Sequence, residues 1–441
     1  MVGIRSALPT LASLFVLMYG IAGAAAIQTL DYDEVVEKAL RYAHDIRLSR
    51  LDIDISRAEQ RRAYSLYYPT ISARWNTEYI RDLTDGTAQI NSIGNTVLLQ
   101  NTAYQSSFML MGSYNLFDFG GTQQKVSIAD KDVGIRQAAL RQSRRDIRLN
   151  VLSLYSDLLI SYEEIGTKKE LLTLYKELAL TKERLYVAGK ISKIEMTDDA
   201  VKVVKIVDDI DTLRLKQKTL LEELSSLTGE QYSADNTRVN AFRECEEDDY
   251  KHEFDPENTP ESKRYDLEME KKKAELKVLE RALLPQFGLY STYALYGSDP
   301  AALDISAQYV KPRNFFVGMA ITLPLFEGFK SPAEIEKTRL ELERLKVEKG
   351  KKMTELSARH AKLSETRETY ISGIAHQKAM LTKVEEKLTM AQRLSDQKEI
   401  ERAEYLNQKI DLVNQRFELA RTIISKTATI KGLRIFSGAG D

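Results

Sequence analysis

One stretch of this sequence occurs twice, and each copy joins a strand pattern to a long helix pattern. The copies cover residues 112–121 and 321–329, where alternating residues lead into Leu-Phe, an acidic residue and glycine. Phe117 and Phe326 lie 209 residues apart. A repeat at fixed spacing constrains the fold strongly, because both copies must form the same supersecondary unit. The 441-residue chain is therefore predicted to consist of two similar halves.

Composition argues against several classes of function. The net charge of −1 provides no long-range field towards nucleic acid. Four histidines and one cysteine argue against a His/Cys metal site. The sequence shows neither a nucleophile elbow nor a phosphate loop, so no catalytic residue, cofactor or metal is predicted.

The first 26 residues have the pattern of a secretory signal peptide. Arg5 is followed by a largely apolar run over residues 11–21 and by small residues at 23–26. No later stretch has the apolar length of a membrane-spanning helix. An exported chain of this kind is expected to be soluble outside the inner membrane or to span the outer membrane as a β-barrel.

Four segments alternate with the period of a β-strand. They cover residues 70–80, 106–117, 286–296 and 314–326, and in the first one Ile71, Trp75 and Tyr79 alternate with polar residues. Two strands of this length joined by a polar loop match a hairpin of a membrane barrel. A soluble hairpin with one buried face is the alternative.

Long helical hairpins are predicted after each pair of strands, over residues 122–229 and 332–434. Leu171, Leu178 and Leu185 step by seven residues, which is coiled-coil periodicity. A helix over residues 123–187 would be roughly 100 Å long, too long for a compact domain. Shorter helices open the two halves and end before Pro69 and Pro285. The predicted organisation is a first repeat over residues 27–229, an acidic linker over 230–260 that is either wrapped on the outside or disordered, a second repeat over 261–434, and a tail over 435–441.

Four strands per chain are too few to close a membrane barrel, which needs about eight. Because hydrocarbon does not tolerate an open sheet edge, several copies would have to pool their strands. The pattern therefore predicts a cyclic homo-oligomer with a barrel at one end and a helical tube beyond it.

In this order of elements the sequence resembles the TolC-type outer-membrane efflux proteins. The resemblance extends over nearly all of the chain after the signal peptide. It rests on Tyr-Pro and Leu-Pro before the outer strands, at residues 68–69 and 284–285, on the repeated Leu-Phe-acidic motif, and on Tyr-Val-Ala-Gly at residues 186–189. It implies a mixed α and β fold, in which a homotrimer forms a twelve-stranded transmembrane β-barrel continuous with an α-helical coiled-coil tunnel through the periplasm. It also implies contact with outer-membrane lipid, a periplasmic adaptor protein and an inner-membrane transporter.

The resemblance places two functions at the tips of the helical hairpins. Tip and adaptor contacts are expected at Gly189, Lys190, Ile191, Glu195, Lys398 and Ile400. The entrance of the tunnel is expected at Glu399, Glu401, Glu404 and Asn407. Three copies of Glu404 would form a carboxylate ring that attracts cations. Asn407 stands where the family pattern often has a second acidic residue, and the alternative for all of these glutamates is a solvated helix face.

The remaining candidate residues are structural. Four residues are expected to permit the change from strand to helix: Gly120, Gly121, Pro324 and Gly328. Aromatic residues suited to a membrane-interface belt are Trp75, Tyr79, Tyr114, Tyr290, Tyr293 and Tyr296. A packed soluble core is the alternative for these rings.

The predicted function is a passive exit duct for small molecules in a tripartite efflux system. A duct for type I protein secretion is the second possibility, since a water-filled pipe carries little substrate recognition. A secreted coiled-coil scaffold is the alternative from another class.

Overall fold

A computed structural model describes residues 28–80, 89–92, 95–98, 104–243 and 254–438. The predicted signal peptide, most of residues 81–103, the middle of the acidic segment and the last three residues lie outside this description. Within the described ranges, no helix has both the length and the apolar character needed to cross a membrane.

The described part of the first half contains four α-helices and five strands. They are β1 (Gln28–Leu30), α1 (Tyr32–Tyr42), α2 (His44–Tyr64), β2 (Thr70–Tyr79), β3 (Gln89–Ser92), β4 (Asn95–Leu98), β5 (Tyr104–Phe117), α3 (Gly121–Val187) and α4 (Lys193–Thr228). The rest of the chain forms β6 (Thr237–Val239), α5 (Pro260–Ala282), β7 (Gln286–Asp299), α6 (Leu303–Gln308), β8 (Lys311–Thr322), α7 (Lys330–Asp396) and α8 (Arg402–Phe436). Both α3 and α7 have 67 residues, and they begin 209 positions apart. The shorter helices α4 and α8 also begin 209 positions apart.

Local sequence signals explain where the shorter helices begin. Asp31 caps α1 by accepting a hydrogen bond from the Asp33 backbone N–H, and Thr259 caps α5 just before Pro260. The opening helix, predicted as one helix that ends before Pro69, is interrupted at Ala43, where ψ is 126°. This break divides it into two helices that both pack on α3.

The main core lies where α1, α3 and α4 meet. Tyr155, Leu158 and Leu224 are fully buried there, and the Tyr155 hydroxyl lies 2.9 Å from the Leu30 carbonyl oxygen and 2.8 Å from that of Asn240. Burial raises the pKa of this hydroxyl, so it stays protonated as a hydrogen-bond donor. Strand β6 pairs in parallel with β1. Tyr232, also in the acidic segment, is only 8% exposed. The described part of this segment is therefore packed against the core and does not lie wholly on the outside of the protein.

A single antiparallel sheet is formed by the four long strands, in the order β2-β5-β7-β8. The last strand ends at Thr322, four residues before the predicted end at 326. Pro324 follows, and because proline has no N–H to donate to a strand ladder it cannot extend the pairing.

Candidate functional site

The register of the sheet brings most of the large apolar residues of the four strands to one surface. Trp75 pairs with Phe108, Leu110 with Tyr293, and Tyr293 with Phe315. Alternate residues on one strand share a face, so these pairs define a continuous surface, which we call the apolar face. Its principal members are Ile71, Trp75, Tyr79, Phe108, Leu110, Tyr114, Leu289, Tyr293, Leu295, Phe315, Val317, Met319 and Ile321.

Much of the apolar face is open to its surroundings in the single chain. Phe315 is 71% exposed, Ile71 70% and Trp75 52%. The rings of Trp75, Tyr79, Tyr114 and Tyr293 all lie on this face. Tyr290 and Tyr296 do not, because their register places them on the opposite surface, so the prediction that they belong to the same belt is wrong.

The opposite surface of the sheet, the polar face, carries Arg74, Glu78 and Ser107. Its aromatic members are Tyr290, Tyr296 and Phe316. Ala294, also on this face, is only 2% exposed. Polar side chains on one face and exposed apolar ones on the other are the alternation expected of a membrane barrel, with the polar face towards the lumen.

Both transitions from sheet to long helix use two consecutive left-handed residues. Phe119 and Gly120 have φ of 55° and 83°, and Gly328 and Phe329 have φ of 60° and 64°. Glycine adopts this conformation readily whereas phenylalanine is strained in it. Each junction therefore pairs one glycine with one phenylalanine, in opposite order. Gly121 differs, since it is already the first residue of α3.

The acidic residue of the first copy of the motif caps α3. An Asp118 carboxylate oxygen accepts hydrogen bonds from the Thr122 backbone N–H at 2.6 Å and the Thr122 hydroxyl at 2.7 Å. At the corresponding place before α7, the Ser331 hydroxyl donates to Glu327. Desolvation raises the pKa of Asp118, but the hydrogen bonds from Thr122, Asn115 and Gly120 outweigh it and hold the pKa below its ordinary value.

Replacing Asp118 with alanine is expected to lower the free energy of unfolding by about 1–2 kcal/mol, as for loss of a helix cap. The Asp118→Asn variant is the control, since it keeps an acceptor oxygen and should lose less. Because the folded-state pKa is depressed, the carboxylate contributes fully above its ordinary pKa and the contribution is lost as pH falls through the lower value. Denaturant unfolding of wild type and Asp118→Ala should therefore differ at pH 7 and begin to converge below about pH 4. Equal stability at pH 7 would exclude the capping role.

The two hairpin tips share the same backbone turn. Lys190 N–H donates to the Leu185 carbonyl, and Glu399 N–H to that of Leu394, at 2.9 Å in both cases. Gly189 takes φ of 70° in the first tip, and Lys398, which replaces it in the second, takes φ of 61°. The second tip therefore keeps the turn without glycine, at a cost of roughly 1 kcal/mol for a left-handed non-glycine residue.

The equivalent glutamates of the two tips, Glu195 and Glu404, differ in their hydrogen bonds. Ser192 and Glu195 form a capping box: the Ser192 hydroxyl accepts from the Glu195 N–H at 3.2 Å, and the Glu195 carboxylate faces the Ser192 N–H. In the second tip Glu401 occupies the capping position and forms no side-chain cap. The side chain of Glu404 is exposed, and it has no hydrogen-bond or ion-pair partner among the described residues.

The neighbouring candidate residues are also at the tips. Glu399, Glu401 and Asn407 are exposed, as are Lys190 and Lys398, while Ile191 and Ile400 are half-buried. Helix α8 is held to the first hairpin by a cluster that includes Leu174, Leu178, Ile206, Leu406 and Ile410. An ion pair between Arg402 and Glu177, 2.8 Å apart, joins the same two parts of the chain.

A buried ion pair distinguishes the first hairpin from the second. Asp199 is 1% exposed and lies 2.6 Å from the Lys182 amine and 3.0 Å from that of Lys202. The corresponding positions in the second hairpin are Ala391 and Gln408. This group was not identified from the sequence, although the pairing of Lys182 and Asp199 across a predicted antiparallel hairpin was available as a signal.

Comparisons with known proteins found a matching family and solved structures of the same fold. Residues 35–230 match the sequence model of the outer membrane efflux protein family. A search of curated protein sequences found no match. That family consists of efflux channels and is not known as a family of enzymes.

Solved structures show the same fold over nearly the whole chain. CusC, from a study of its folding and transmembrane channel formation, is 17% identical with a TM-score of 0.74, over 96% of this chain and 95% of its own. The CmeC outer membrane channel of Campylobacter jejuni is 16% identical with a TM-score of 0.77, over 93% and 86%. The outer membrane protein VceC of Vibrio cholerae is 14% identical with a TM-score of 0.71, over 91% and 95%.

The resemblance drawn from the sequence motifs is confirmed by these findings. The family match covers the first strands and the first helical hairpin, and the shared fold continues through the second. Residues 35–230 thus match the outer membrane efflux protein family, and the whole chain has the fold of solved outer-membrane channels, which indicates a location in the outer membrane with an extension into the periplasm.

Proposed function

We propose that three copies of this chain form a channel-tunnel that serves as the exit duct of a tripartite efflux system for small molecules. Each copy contributes four strands to a twelve-stranded barrel, with the apolar face towards lipid and the polar face towards the lumen. The long helices continue into the periplasm, where their tips meet a periplasmic adaptor and an inner-membrane transporter.

The observation that carries this proposal is a four-stranded sheet with an exposed apolar face and two edge strands, β2 and β8, that have no further partner strand in the described part of the chain. Unpaired N–H and C=O groups of such edges are costly in hydrocarbon. Strand directions alternate across β2, β5, β7 and β8, so β8 of one copy is antiparallel to β2 of the next. Identical copies can thus close the barrel with one repeated contact.

The internal repeat supports a shared role for the two hairpins. The bounds of α3 and α7, the first residues of α4 and α8, the left-handed junctions and the tip turns recur at the spacing of 209 residues. We propose residues 27–229 and 261–434 as the two structural repeats, joined by the segment 230–260. Gly189 to Glu195 and the corresponding residues of the second tip then contact the adaptor, and Glu404 lines the entrance.

The Glu404→Gln variant is expected to conduct with a weaker preference for cations, because three carboxylates are removed from the entrance. Single-channel recordings of the reconstituted trimer, with reversal potentials in a salt gradient, measure this directly. Glu195→Gln is the matched control. It sits at the equivalent position, glutamine also serves in a capping box, and selectivity should not change.

Two results would contradict the proposal at different levels. Unchanged selectivity in Glu404→Gln would remove this residue from the entrance while leaving the duct intact. A wild-type protein that stays monomeric and dissolved without detergent would exclude the duct and favour the coiled-coil scaffold.

A further inference from the structure

The short helix α6 lies on the apolar face, at the end of the sheet away from the long helices. It connects β7 to β8, and its Ser306 hydroxyl is 2.9 Å from the hydroxyl of Ser106 on β5. Both serines are essentially buried, at 0% and 1% exposure. Ser106 shares its face with Phe108 and Leu110, so α6 covers the same surface that these large residues line.

The sheet is shaped to receive this helix. Gly297, opposite Ser106 on β7, has no room for a side chain, because a Cβ atom there would lie 2.1 Å from the Ser306 carbonyl oxygen. Small residues at 106 and 297 thus interrupt the run of large apolar side chains where α6 docks. The helix is a built part of the apolar face and is fixed to its two central strands.

The level of α6 coincides with the boundary of the apolar surface. Trp75 and Phe108 form the adjacent layer, with ring centroids 6.3 Å apart, and the rings of Tyr79 and Tyr104 pair at 5.0 Å near the end of the sheet. Tyrosine and tryptophan are the residues that favour the boundary between hydrocarbon and headgroups.

Helix α6 and the residue after it expose both apolar and polar side chains. Leu303 is 45% exposed, Ile305 37% and Tyr309 62%, while Asp304 and Gln308 are also open. Apolar and polar side chains exposed next to one another fit a lipid interface, where hydrocarbon and headgroups can accommodate both. A neighbouring copy is a poor fit as the covering partner, because α6 rests mainly on the central strands β5 and β7, whereas copies in the proposed barrel meet at the edge strands β2 and β8.

We propose that α6 is an interfacial element of the barrel, and that lipid of the outer leaflet covers Leu303 and the side chains beside it. This inference rests on the proposed barrel with its apolar face towards lipid. Its role is to fix the depth of the barrel by holding amphipathic side chains at the headgroup boundary.

The single tryptophan of the chain makes a direct test possible. In a Trp75→Phe background, Leu303→Trp places the only indole on α6. The trimer is reconstituted in phosphatidylcholine vesicles with and without brominated acyl chains, which quench tryptophan on contact. We expect the Leu303→Trp emission to be quenched by brominated lipid to an extent similar to that of native Trp75.

Two controls keep the outcomes distinct. Gln105→Trp in the same background lies at the level of Ser106 on the polar face, and it should be quenched by aqueous acrylamide and not by brominated lipid. Gly297→Val, combined with Leu303→Trp, should displace α6 and reduce its lipid quenching. If Leu303→Trp escapes lipid quenching while native Trp75 is quenched, the inference is overturned and the barrel stands. If native Trp75 itself is unquenched, the proposed orientation of the apolar face fails, and this inference with it.

Discussion

Replacing Glu261 with alanine is expected to lower the free energy of unfolding by about 3 kcal/mol, because the buried guanidinium of Arg145 loses its two-pronged partner and keeps only the more exposed Asp146, 3.4 Å away. Arg145 on α3 and Glu261 at the start of α5 have side chains only 10% and 2% exposed. Both terminal nitrogens of Arg145 donate to the two Glu261 oxygens, one of them at 2.8 Å. Desolvation lowers the pKa of Arg145, but Glu261 more than offsets this and the net pKa is raised, so the charge is retained.

The measurement is denaturant unfolding of the purified protein in detergent. The double variant Arg145→Met with Glu261→Leu should lose much less than Glu261→Ala, because neither charge remains buried. Glu37→Ala removes an ion pair with Arg41 whose side chains are 70% and 82% exposed, and it should change stability by less than about 1 kcal/mol. A Glu261→Ala protein as stable as Glu37→Ala would show that the buried pair does not hold α5 to α3.

Leu406→Ala is expected to cost about 2–5 kcal/mol, since truncating a fully buried leucine removes apolar contacts and leaves a cavity. Leu406 is 0% exposed in the cluster that joins α8 to α3 and α4, two residues from Glu404. The loss should be local, loosening the start of α8 from the first hairpin. Hydrogen exchange should accelerate over the first turns of α8, and the reconstituted channel should conduct more in its resting state.

Met390→Ala provides the matched control for Leu406→Ala. Met390 lies on α7 near the same tip and is 62% exposed, so its truncation should leave exchange and conductance near wild-type values. If both variants behave alike, packing of α8 on the first hairpin does not control the entrance.

Long, strongly periodic elements were predictable from the sequence, and short ones were not. The heptad leucines of α3 and the alternation around Trp75 extend over enough residues to exclude other patterns. Helix α6 has only six residues, so no period could reveal it within a segment predicted to be loop. The break at Ala43 was missed for another reason: alanine favours helix, so its own preference gives no sign of an interruption.

The candidate sites were also predictable from the sequence only in part. The spacing of 209 residues placed Glu195 and Glu404 at equivalent positions, and their different environments follow from one neighbour each. Ser192 makes a capping box with Glu195, a pattern that the sequence displays, whereas Glu401 cannot make one with Glu404. The left-handed Lys398 was not predictable, because the local hydrogen-bonded turn that ends α7, and not residue preference, holds it there.

The length of α7 turns a small rotation at the membrane into a large displacement at the far end. Its 67 residues correspond to a rod of about 100 Å. Swinging such a rod by about 5° about the Glu327–Ser331 joint carries its tip sideways by about 9 Å, nearly the diameter of a helix. In the proposed duct, a lever of these proportions would let an adaptor bound at the tip widen the passage while the strands scarcely move.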